Sequence, residues 1–108
     1  MPHYLLQVSY TPEGWAALIK SPQNRAEAVR PAIEKVGGKL TASYLTFGKY
    51  DVLVLAELPD NASAAGIAIA FAAGGTLKAI KTTPLMTWDE GVEAMRKAGQ
   101  AGYRPATS

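Results

Sequence analysis

Residues 40–60 read LTASYLTFGKYDVLVLAELPD, and two strand-like runs meet there across Phe47-Gly48-Lys49-Tyr50-Asp51. The second run, Val52-Leu53-Val54-Leu55-Ala56, is the most β-prone stretch of the chain and reads as a central strand. Gly48 offers a positive φ or a bulge, and Asp51 offers a carboxylate to nearby backbone amides. The pair is predicted to be a hairpin, with a first strand over Lys39–Phe47 and a second over Asp51–Leu58.

Working backwards, Tyr4-Leu5-Leu6-Gln7-Val8-Ser9 alternates as a strand, with Tyr4, Leu6 and Val8 on one face. Thr11-Pro12 then opens a helix, Thr11 as cap and Pro12 at its first position, with Gly14 a mild weakness. That helix is expected to bury Trp15, Leu18 and Ile19 and to break at Ser21-Pro22. A second helix should start just after this break and run to about Val36, its apolar stripe formed by Ala26, Val29, Ile33 and Val36. Pro31 lies inside it, so a bend near Ala28–Pro31 is expected, and Gly37-Gly38 stops it.

Working forwards, Pro59-Asp60-Asn61 ends the hairpin and caps a helix over about Ala62–Ala73 that is apolar nearly all round. Thr76–Leu85 alternates as a fourth strand, with Lys78 and Lys81 on opposite faces. A last short helix is expected to begin at Trp88-Asp89-Glu90 with Asp89 as cap, presenting Val92 and Met95 inward. The order is β-α-β-β-α-β plus a C-terminal helix. This is an α+β, ferredoxin-like arrangement in which helices cover one face of a four-stranded antiparallel sheet. The other face would expose apolar side chains in a monomer, so a homodimer or higher oligomer is expected. One domain should occupy residues 1–98, with a flexible tail over residues 99–108.

Composition narrows the function classes. Apolar residues make up 48% of the 108, too many for a disordered chain. No cysteine is present, which removes disulfides and thiolate chemistry and suits a reducing cytoplasm. The N-terminal residues lack the pattern of a signal peptide, and Ala62–Gly75 is too short to span a membrane. A net charge of +2, with no dense basic run, argues against nucleic acid. We therefore expect a cytoplasmic protein without membrane or nucleic-acid partners.

The residues around the hairpin also carry a resemblance. Gly48-Lys49-Tyr50-Asp51, then Val52 and Glu57-Leu58-Pro59-Asp60, resembles the GYD domain family, in which a Gly-x-Tyr-Asp turn precedes a hydrophobic strand ending in Glu-x-Pro-Asp. Further matches are Tyr4-x-x-x-Val8, Thr11 with Gly14, Lys20-Ser21-Pro22-x-x-Arg25, Gly37-Gly38-Lys39, Tyr44-Leu45-Thr46 and Thr76. The resemblance covers about residues 3–85. It implies a dimeric α/β barrel, two ferredoxin-like sheets paired face to face. It implies little about activity, because a shared fold does not transfer chemistry.

Few side chains suggest chemistry. His3 is the single histidine, and without an Asp/Glu/Cys cluster it makes no metal site; no metal or cofactor is expected. Asp51 and Glu57 stand about 20 Å apart along one strand, too far for a paired-carboxylate mechanism. Tyr44 and Tyr50 flank the hairpin and could orient a small ligand. Lys20 and Arg25 bracket the helix break, where Arg25 could meet an anion. The candidate ligand residues are thus Tyr44, Tyr50, Asp51, Arg25, Lys20 and His3. Three functions follow: a module binding a small organic or anionic ligand, a cofactor-independent monooxygenase or isomerase, and a structural or protein-interaction unit docking through the alanine-rich helix.

Overall fold

A computed structural model describes residues 1–107. Its elements are β1 (His3–Tyr10), α1 (Pro12–Lys20), α2 (Ala26–Lys35), β2 (Lys39–Leu45), β3 (Val52–Glu57), α3 (Asn61–Ala73), β4 (Leu77–Leu85) and α4 (Trp88–Gln100). The strands form one antiparallel sheet in the order β2-β3-β1-β4. This is the ferredoxin-like topology: α1 with α2 make the first crossover, and α3 makes the second.

Alternation along β1 decides the two faces. Tyr4, Leu6, Val8 and Tyr10 are all buried on the helix side, where Val54 and Ala56 of β3 and Leu40 of β2 join them. Ile33 of α2, and Ala64 and Ile67 of α3, close the core from above. Leu6, Ile33 and Leu58 are the largest side chains removed completely from water, each worth about 1.5–3 kcal/mol. The opposite face stays open. Cross-strand rows on it run Ala42–Leu55–Leu5–Thr83 and Tyr44–Leu53–Gln7–Lys81, flanked by Lys39–Glu57–His3–Leu85.

Three glycines do distinct work. Gly37 (φ +86°) ends α2, and the amides of Gly37 and Gly38 donate to the carbonyls of Glu34 and Ile33. Gly38 lies so close to Leu58 and the Glu57 carbonyl that a Cβ would meet them at 2.6 and 2.7 Å. Gly14, read from sequence as a weakness, is the buried residue of α1; a Cβ there would come within 2.8 Å of the Thr76 carbonyl oxygen. Its bareness lets the start of α1 dock on the chain entering β4, where the Thr11 amide donates to that same carbonyl.

Several expectations are corrected. Gly48 has no positive φ, because the connection from Thr46 to Asp51 is wide rather than tight; the bulge sits at Thr41 instead. Ile19 is exposed, since α1 turns only Trp15 and Leu18 toward the sheet. The second helix starts later than expected, after Asn24 accepts a hydrogen bond from the Ala26 amide. It runs through Pro31, which faces solvent, where water can serve the Glu27 carbonyl that proline leaves unbonded. The last helix is longer than expected and is capped by Thr87, not Asp89: Thr87 and Glu90 form a reciprocal capping box. Val92 and Met95 point away from the core, and no residue of α4 is buried.

Candidate functional site

The register of β1 carries beyond Ser9, and that extension builds the site. Tyr10 continues the inward series from Tyr4, and a shift in pairing after Ser9 makes Lys78 an extra residue and sets Tyr10 opposite Leu77. Its ring stacks edge-on against Trp15 of α1, centroids 5.1 Å apart. Above it, α1 and α2 do not meet directly. The segment Pro22–Arg25 separates them, and a cleft opens beneath it.

The cleft has two lobes. One, about 280 Å³, lies between Trp15, Leu18, the Pro22–Ala26 segment and the β2 residues Ser43–Leu45. The other, about 500 Å³, runs deeper between α2, α3 and the sheet, lined by Val29, Ala32, Val54, Phe71 and Leu77 among others. Tyr10, Arg25, Ser43 and Val52 line both, so the two lobes meet at those residues. The walls are mainly apolar. The polar contribution at the junction is two hydroxyls and one guanidinium. Arg25 donates from Nη1 to Gln23 Oε1 at 3.0 Å, and its charge is matched by no carboxylate among the described residues.

Of the residues nominated from sequence, Arg25 alone stands at the centre of this cleft. Tyr44 reaches its mouth but is 64% exposed, because its strand position faces the open side of the sheet. Asp51 is engaged structurally: its carboxylate accepts from the Tyr10 amide at 2.9 Å, and its own amide donates to the Val8 carbonyl at 2.8 Å. Those two bonds tie the hairpin to the end of β1, together with the Ser9 hydroxyl donating to the Lys49 carbonyl. Tyr50 does not line the cleft; the Lys49 ammonium lies 6.0 Å from its ring centroid. Lys20 is exposed at the end of α1. His3 sits on the open face beside Glu57, a strand length away from Tyr10. Tyr4 donates its hydroxyl to Asn61 Oδ1 at 2.6 Å and holds α3 to the sheet.

Sequence reading missed Tyr10, Trp15, Ser43 and Phe71 as site residues. Tyr10 had a usable signal, since it extends the period-two series Tyr4, Leu6, Val8. Phe71 had none, because a helix apolar on every side does not declare which side faces a cleft. Among the described residues no three His, Asp or Glu side chains gather closely enough for a metal ion. No helix among the described residues is long and apolar enough to cross a membrane.

Comparison with known proteins agrees with the topology. A family model described as GYD domain matches residues 4–95. No curated protein matches the sequence. Among solved structures, the crystal structure of MtbAldR superposes with a TM-score of 0.52 at 12% identity, covering 80% of this chain. The chain spans about half of that one, 52%. At such identity the likeness concerns the fold alone.

Proposed function

The chain belongs to the GYD domain family, and we propose that it binds a small organic molecule with an apolar body and an anionic end in the cleft between helices and sheet. The observation that carries this reading is Arg25, a cation at the junction of two apolar lobes with no carboxylate partner among the described residues. Lobes of about 280 and 500 Å³ suit a metabolite-sized ligand. The ligand body lies along Val29, Val54 and Phe71, its anion meets Arg25, and the Tyr10 and Ser43 hydroxyls supply orienting hydrogen bonds. Binding ranks above catalysis because the polar side chains nominated from sequence are dispersed. Asp51 is held by the Tyr10 amide, and His3 is on the other face.

The same reading includes self-association through the open sheet face, where Leu5, Leu53 and Leu55 form a half-exposed apolar strip. It also includes a cytoplasmic setting, which suits a chain without cysteine. The test of ligand binding is calorimetry with 2-naphthoate and its neutral amide. The carboxylate should bind more tightly than the amide, and Arg25→Gln should remove that preference. An exposed charge-assisted contact of about 1 kcal/mol corresponds to roughly a five-fold loss. Equal affinity for acid and amide in the unaltered protein would refute the role given to Arg25.

A further inference from the structure

Helix α4 is built as a packing helix, yet none of its residues is buried. Trp88, Val92, Met95 and Gly99 fall on one side at helical spacing, while Asp89, Glu93, Arg96, Lys97 and Gln100 fall on the other. Trp88 is 82% exposed and Met95 63%. The Thr87–Glu90 capping box fixes where the helix starts, after a two-residue link from β4.

The shape of the chain says how much cover is missing. A compact chain of 11.4 kDa exposes about 5,800 Å², whereas this one exposes 7616 Å². Its radius of gyration is 17.4 Å, against about 13 Å for a compact domain of this length. The excess, about 1,800 Å², exceeds the roughly 800 Å² that each partner contributes to a standard interface and falls in the range of permanent dimers. The stripe of α4 and the open sheet face both contribute to it, along with the polar side of α4 and the exposed residues 101–107. The stripe and the open face are continuous, since Leu85, the last residue of β4, belongs to the open-face row of His3 and Glu57.

We propose that α4 is an exchange arm: in a dimer of this chain, each protomer's Trp88–Val92–Met95 stripe packs on the partner's open face along its β2–β3 half. That half is the more apolar one, carrying Ala42, Tyr44, Leu53 and Leu55 beside Lys39 and Glu57, whereas the β1–β4 half mixes Leu5 and Leu85 with His3, Gln7, Lys81 and Thr83. The arm rests on the self-association proposed above and goes beyond it, since sheets can pair without any arm. Because a two-fold axis makes the exchange reciprocal, both arms and both faces are covered at once.

The absence of cysteine makes a direct test available. A tagged Leu53→Cys chain is mixed with an untagged Val92→Cys chain and treated with a short bismaleimide, alongside a control pairing of Leu53→Cys with Ala17→Cys on exposed α1. The arm requires cross-chain product in at least five-fold excess over the control. In parallel, Met95→Glu, an exposed position whose change leaves the core intact, should raise the dimer dissociation constant at least ten-fold by sedimentation. Dimer without excess product, or a dissociation constant unmoved by Met95→Glu, overturns the arm while leaving the dimer standing. A monomer of 11.4 kDa at micromolar concentration overturns both.

Discussion

Asp51 shows how one side chain can be conspicuous in sequence for a reason other than chemistry. Its carboxylate fixes the Tyr10 amide, and so positions the tyrosine that lines both lobes of the cleft. Gly38 is equally specific, but by what it lacks. Gly38→Ala would force Leu58 and the backbone at Glu57 apart and should cost about 1–3 kcal/mol in chemical denaturation. Gly48→Ala, in open space and without a positive φ, should stay within about 0.5 kcal/mol or stabilise. Acid sensitivity also resolves to single residues. Hydrogen bonds from Thr87 hold the Glu90 carboxyl below its ordinary 4.5, aided by His3 and the amino terminus. Bonds from Ser63 hold Asp60 below its ordinary 3.8. Both folded values are depressed, so the caps contribute fully above the ordinary values and are lost as pH falls through the depressed ones. Circular dichroism should show helix ends fraying below about pH 4, and Glu90→Gln should flatten the part due to α4.

At the scale of elements, legibility followed local chemistry. The caps at Thr11 and Asp60, the stop at Gly37 and the hairpin strands were readable because each signal lies within a few residues of the structure it causes. The cap of α4 was misplaced by two residues, since Asp89 and Thr87 are both good caps and only the reciprocal bond with Glu90 separates them. Thr87→Ala should therefore lower helicity and cost about 1 kcal/mol of α4 stability, which amide exchange along residues 88–100 can read. The face of α4 was assigned inward because an apolar stripe normally finds its own core. The stripe is real, yet none of its residues is buried. The cleft was the least legible element, because it arises where the Pro22–Arg25 break lifts helices off a sheet. That spacing depends on Trp15 meeting Tyr10 and on Phe71 lining the same cleft as Tyr10 and Val29, which no local pattern announces.

At the scale of the molecule, the two faces of the sheet have separate jobs. The helix face encloses the core and the cleft, and in the dimer we propose the open face and α4 form the surface for a second copy. Ligand recognition and assembly are independently testable, since Arg25 lines the cleft and no residue of α4, Met95 included, lines either lobe. The most direct measurement is amide chemical-shift mapping of the intact protein during titration with 2-naphthoate. The expected result is a saturable set of shifts at Tyr10, Arg25, Ser43, Val52 and Phe71, weakened in Arg25→Gln. Shifts confined to α4 or to Leu5 and Gln7 on the open face, or no saturable shifts, would contradict the assignment of the cleft as the binding site.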